Sequence, residues 1–153
     1  MDEAVAARLH RTVLQRIASR APEFMDITGD VERAVRESGI LEGSVTVFSR
    51  HTTAAVKINE NEPLLLRDMA RFLETAAPRE GDYRHNDFVI RTENMTDDEC
   101  PNGHSHCQHL LLSASETIPV SDGKPLLGRW QSVFLIELDH PREREVVIQV
   151  MGW

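Results

Sequence analysis

The sequence predicts an α+β domain dominated by antiparallel hairpins, with two or three helices covering one face. Three observations predict it. Its 153 residues, 41% of them apolar, match the size of one domain with a real core, so a single domain over 1–153 is expected. β-Branched runs separated by turn residues recur along most of the chain. Two stretches carry apolar residues at helical spacing instead.

The elements follow in order. Arg8 to Ile17 mixes β-branched, charged and aliphatic residues and reads as strand in preference to helix. After the Pro22 break, Phe24 to Ile27 is a short extended segment. Thr28 and Asp30 offer N-capping chemistry for a helix to about Ser38, where Gly39 stops it. Val31, Ala34 and Val35 form its apolar face. Ser44 to Ser49 and Ala54 to Ile58 are strands flanking the polar group Arg50-His51-Thr52-Thr53. From Pro63 to about Ala76, Leu65, Met69, Phe72 and Leu73 fall at helical intervals, and Pro78 closes the segment. Residues 77–103 are polar and turn-rich, and long connections in compact domains usually serve a function. A short helix from about His106 to Ala114 follows, then Thr117 to Val120, a turn at Ser121 to Lys124, and a long strand from about Leu126 to Leu138. Asp139-His140-Pro141 turns the chain into a last strand, Glu145 to Met151.

Charge and composition exclude several function classes. The net charge is −8 with scattered basic residues, which argues against a nucleic-acid partner. The longest apolar runs, such as Leu110 to Leu112, are too short to cross a bilayer. Asp2 and Glu3 stand where a secretory signal would be basic, so no membrane association and a cytoplasmic location are expected. In that setting Cys100 and Cys107 favour free thiols or ligands over a disulfide.

The chemistry centres on histidine. Four of seven histidines (His85, His104, His106, His109) fall in the central loop and its following helix. Cys100-Pro101-Asn102-Gly103-His104-Ser105-His106-Cys107 offers soft or borderline ligands suited to zinc, copper or iron, at no zinc-finger spacing. The bland alternative is a solvated loop. His51 follows a strand end and precedes two threonines, so its ring either faces a cleft whose hydroxyls and backbone amides bind an anion or is an ordinary surface or hydrogen-bonded core histidine. Asn59-Glu60-Asn61-Glu62 and Asp68 supply oxygen donors, or else cap and solvate the helix they adjoin. Gly128-Arg129-Trp130-Gln131-Ser132 holds either a core indole or a stacking platform for a heterocycle. Arg142 and Arg144 either grip a phosphate or are plain surface arginines.

The segments His51-Thr52-Thr53-Ala54, Asn59-Glu60-Asn61, Arg67-Asp68-Met69, Tyr83-Arg84-His85, Asn102-Gly103-His104-Ser105-His106, Ile118-Pro119-Val120 and Leu127-Gly128-Arg129-Trp130-Gln131 together resemble the YjbQ-like family. Its members are often labelled secondary thiamine-phosphate synthases. The resemblance runs in order from about Ser44 to the C-terminus, and the combination is specific although each piece alone is weak. It implies an antiparallel β-sandwich-like core, assembly as a homotrimer and sites near subunit interfaces. By position it implies His51, His85 and His106 as a catalytic or metal cluster, with His104 a further candidate ligand. The activity it implies joins hydroxymethylpyrimidine diphosphate to thiazole phosphate with release of pyrophosphate. The chain has no Gly-rich phosphate loop and no DDxxD-like acidic pair for that chemistry.

Combined, these readings give a site in which Trp130 and Gln131 stack and orient the ring of a small phosphorylated metabolite. Thr52, Thr53, Asn61 and Arg144 hold its polar groups. His51, His85 and His106 bind a divalent metal, zinc or magnesium, or shuttle protons, while Glu60 or Asp68 orients a histidine. No organic cofactor is expected. The alternatives are a non-catalytic trimeric metal- or metabolite-binding protein and a metal-dependent hydrolase.

Overall fold

The computed structural model describes residues 6–153. Eight strands form two antiparallel sheets. Strands β1 (Arg8–Ile17), β3 (Gly43–Ser49), β5 (Ser115–Ser121), β6 (Lys124–Pro125) and β8 (Glu143–Gly152) make the larger, in the order β1-β8-β3-β5-β6. Strands β2 (Glu23–Asp26), β4 (Ala54–Asn59) and β7 (Ser132–Glu137) make the smaller, in the order β2-β7-β4. Three helices, α1 (Thr28–Ser38), α2 (Pro63–Ala76) and α3 (Gly103–His109), complete the predicted α+β sandwich.

Period-2 alternation explains the layering. β8 turns Val146, Ile148 and Val150 inward, and β3 does the same with Val45 and Val47. These meet Ala54, Val56, Val133 and Leu135 of the smaller sheet, and Val31, Ala34 and Val35 of α1 join the same core. β7 is buried on both faces, since Phe134 and Ile136 pack outward with Leu73 and Leu66 of α2. That accounts for its unbroken apolar run. Each large aliphatic side chain fully buried here contributes about 1.5–3 kcal/mol.

The bounds of α1 and α2 agree with the sequence reading, but three details differ. Thr28 and Asp30 do not cap α1: Asp26 Oδ1 accepts from Thr28 N at 2.9 Å, and Thr28 Oγ1 accepts from Val133 N at 2.9 Å. Asp30 instead pairs with Arg16 and Arg33. The strand expected over Leu126 to Leu138 begins only at Ser132, because Gln131 folds back and its Oε1 accepts from Gly128 N at 2.7 Å. The helix expected over His106 to Ala114 spans Gly103–His109 instead. Beyond it, Ser113 and Ala114 are drawn to the sheets, with Val56 N donating to Ser113 O at 2.9 Å and Ser49 N to Ala114 O at 2.7 Å.

Candidate functional site

The polar group between β3 and β4 is fixed by neighbours from β7 and β8. Arg144 is buried and donates through Nε to Glu137 Oε2 at 2.7 Å and through Nη2 to Thr53 Oγ1 at 2.9 Å. Glu137 is wholly buried, and its Oε1 also accepts from Asp139 N at 3.1 Å. Arg144 Nε and Nη2 and Thr53 Oγ1 are therefore engaged by protein partners. His51, half-buried, accepts the Glu145 N–H on Nε2 at 2.9 Å, so the neutral ring carries its proton on Nδ1. Burial, then the nearby Arg144 charge, pushes its pKa below the usual histidine value.

His85 and His106 come together from the central loop and α3. His85 lies in a single 3-10 turn, Arg84–Asn86, and His106 on α3. Asn86 Oδ1 accepts from Gly103 N at 2.9 Å. This close approach requires glycine, since a Cβ at position 103 would lie 2.5 Å from Tyr83 Cβ. Gln108 anchors the other end of α3, donating to Ala77 O at 3.0 Å beside the end of α2. The two imidazoles meet edge to face with centroids 4.7 Å apart. Burial, then the neighbouring His85, holds His106 below the ordinary histidine pKa, favouring its neutral form.

A cleft of about 680 Å³ opens over this pair, walled by Thr52, Thr53, Arg84, His85, Asn102 and His106. Thr52 and His106 also wall a second cleft of about 690 Å³, which includes His51, Cys107 and His109. Arg91 edges the first cleft but is committed to its own loop, donating to Glu99 Oε2 at 2.7 Å and Asn94 O at 2.8 Å. The connection over 77–102 is thus pinned by its own polar groups. Arg84, exposed at the same rim, has no side-chain partner among the described residues.

The other candidates lie elsewhere. His104 is buried and lines neither cleft; its Nε2 is 3.1 Å from Ser105 Oγ and its Nδ1 has no partner. Burial, then the Arg79 charge, lowers its pKa. Asn61 Nδ2 donates to Asp26 Oδ2 at 2.9 Å. Asp68 is exposed and pairs with Arg71 at 2.7 Å, and Glu60 is exposed. Trp130 is exposed with the Arg129 guanidinium 4.6 Å from its ring centroid. Register explains the separation: Ala54 pairs with Glu137 beside the His51 group, whereas Asn59 pairs with Ser132 next to Gln131. Five residues of extended chain span about 17 Å. Within one chain, Asn59 to Asn61 and Trp130-Gln131 stand at the far end of the β4–β7 pair from the histidines.

In the sequence Asp139 and His140 read only as turn residues. They close on Cys100, and the three ligand atoms lie within 4.8 Å of one another, the only such grouping of three His, Cys, Asp or Glu residues among the described residues. Cys100 and Cys107 are both free thiols. Burial, then Asp139, raises the Cys100 pKa. Burial alone would raise that of Asp139, but hydrogen bonds from Asn102 and His140 and the Arg142 charge outweigh it and hold the carboxyl low. The signal available was an Asp-His pair just past the apolar run Val133 to Ile136 of β7.

The fold and clefts define a two-sheet antiparallel α+β protein with a histidine-lined polar site at one end of its smaller sheet. The chain belongs to the UPF0047 YjbQ-like family, whose model matches residues 13–153. It is 42% identical over 134 residues to a UPF0047 protein of Methanothermobacter thermautotrophicus, covering 88% of this chain and 86% of that one. A Synechocystis relative is 36% identical over 99% of this chain and 98% of its own. Among solved structures, a YjbQ-like protein of unknown function from Sulfolobus solfataricus superposes with a TM-score of 0.86 at 32% identity, covering 97% of this chain and all of the other. No helix among the described residues is long and apolar enough to cross a membrane.

Proposed function

We propose that this chain is a transferase acting on small phosphorylated heterocycles, with thiamine-phosphate synthase-like transfer as its reaction. The observation that carries the reading is the edge-to-face His85/His106 pair, with His106 held towards its neutral form, lining one polar cleft together with Arg84. In the reaction a thiazole nitrogen attacks the pyrimidine methylene carbon. The N–C bond forms as the C–O bond to the diphosphate breaks, and pyrophosphate leaves with the electron pair. Arg84 and the Thr52 hydroxyl hold phosphate oxygens, and imidazole N–H groups of His85 and His106 stabilise charge on the departing oxygen.

Two adjacent imidazoles at this cleft suit a borderline divalent ion such as zinc better than magnesium, and such an ion would add charge to hold the diphosphate. His51 lies across Thr52 in the adjoining cleft. The active assembly is a homotrimer in which the Asn59–Asn61 and Trp130-Gln131 end of one subunit completes the histidine cleft of the next. Its support is that the two halves of the motif set stand at opposite ends of one β-pair.

The purified protein, incubated with both thiamine precursors, is expected to release pyrophosphate above an enzyme-free control. His106→Ala and Arg84→Ala should each lower kcat/KM by about 100-fold. Saturable precursor binding without turnover would replace this reading with the non-catalytic one. Metal analysis of untagged protein tests the ion: equal content in wild type and His106→Ala removes it from this site.

A further inference from the structure

We propose that Cys100, Asp139 and His140 form a second metal site, selective for a zinc-class divalent ion and separate from the His85/His106 cleft. The inference stands independently of the transferase reading. Cys100 Sγ lies 3.6 Å from Asp139 Oδ1 and 3.7 Å from His140 Nδ1, and that Nδ1 lies 3.1 Å from Oδ1. A tetrahedral zinc ion bound by these atoms at its usual bond lengths sets sulfur about 3.5 Å from oxygen and nitrogen, and nitrogen about 3.3 Å from oxygen. The three atoms thus already mark one face of such a tetrahedron.

The surroundings orient the ligands. Asp139 is buried, and its Oδ2 is taken by Asn102 Nδ2 at 3.0 Å and Arg142 Nη2 at 3.1 Å. That leaves Oδ1 turned towards the sulfur and the imidazole, the arrangement outer partners impose on metal carboxylates. His140 is partly exposed and opens the fourth position to water or an added ligand. Arg142 Nη2 also lies 3.0 Å from His140 Nε2 and 3.7 Å from Sγ. In the metal-free state its guanidinium supplies the positive charge against this face. On binding, the ion takes the thiolate, the thiol proton passes to solvent, and Arg142, itself partly exposed, turns off the imidazole while keeping Oδ2.

The thiol precedes α3 and the other two ligands sit in the β7–β8 turn, so the ion would clasp the 77–102 connection onto the smaller sheet. Its ligand set, one thiolate with one imidazole and one carboxylate, selects against magnesium and calcium.

Titration of untagged, reduced protein with cobalt(II) is the test, read by the thiolate-to-cobalt charge-transfer band in the near ultraviolet. The expected result is one saturable band that is lost in Cys100→Ser, weakened at least about tenfold in affinity in His140→Gln, and kept in Cys107→Ser and His106→Ala. Cys100 and His140 are both partly exposed, so circular dichroism should show these variants folded. Absence of a thiolate band at millimolar cobalt, or a band that survives Cys100→Ser and disappears with Cys107→Ser, overturns the proposal.

Discussion

Arg144 illustrates how one residue's burial redirects its chemistry. The sequence allows it to be a phosphate ligand, yet its guanidinium is enclosed and donates to Glu137 and Thr53. A buried ion pair adds little net stability over a well-packed apolar pair, but removing one partner strands the other charge in a low dielectric. Arg144→Met should therefore cost about 3–5 kcal/mol of unfolding free energy in a urea titration. Adding Glu137→Leu in the same chain should recover most of that loss. If Arg144→Met leaves stability within about 0.5 kcal/mol of wild type, the pair is not structural and a ligand role returns. Gly103 carries a similar weight at the cleft. Gly103→Ala puts a methyl group against the Tyr83 side chain, and overpacking of this kind costs about 1–3 kcal/mol by thermal or urea unfolding.

At the scale of elements, α2 shows local chemistry and tertiary packing in agreement. Its Glu62 cap accepts from Leu64 N at 3.0 Å and Leu65 N at 2.7 Å, and Pro63 starts the helix. Those two backbone hydrogen bonds lower the Glu62 pKa from its ordinary 4.5. A lowered folded value means the unfolded chain binds the proton more readily, so the cap's contribution is present above about pH 4.5 and is lost as pH falls through the lower folded value. Glu62→Gln should lower the melting temperature at neutral pH, and the gap from wild type should close in acid. An unchanged gap at pH about 3 would show that ionisation is not what stabilises the cap.

The same agreement made α1, α2 and most strands legible in sequence, because spacing, stop signals and burial coincide there. It failed at Leu126 to Gln131, where an apolar start is overruled by a side-chain-closed turn, and at Leu110 to Leu112, where three leucines extend the helical pattern past its last turn. Of the site, His85 and His106 were legible through their motifs. The Cys100, Asp139 and His140 cluster was not, because its partners are 39 and 40 residues apart and only the fold of β7 onto the loop joins them.

At the scale of the whole molecule, one sheet face has no cover among the described residues, and this bears on how the separated motifs function. On the outer side of the larger sheet, Phe48, Val147 and Val13 stand in register across β3, β8 and β1, with Leu9 opposite Met151 farther along. Leu9, Val13, Phe48 and Met151 are all exposed. An apolar row of this kind suits burial against further copies of the chain, in keeping with the proposed trimer. Light scattering should give three times the monomer mass for wild type. Val13→Glu, on a surface where a monomer tolerates charge, should dissociate it while leaving the circular dichroism unchanged. A monomeric wild type, or a Val13→Glu trimer, removes this interface.

Subunit mixing then tests the shared site itself. Trp130→Ala and His106→Ala disable opposite ends of the β4–β7 pair, so each variant alone should be inactive if a site needs both ends. When the two are unfolded and refolded together, random assembly places an intact Trp130 end beside an intact His106 cleft in roughly a quarter of the sites. Pyrophosphate release should recover to about that fraction of wild type. A mixture no more active than its parents would mean that each chain works alone, and that the Trp130 end belongs to some other role.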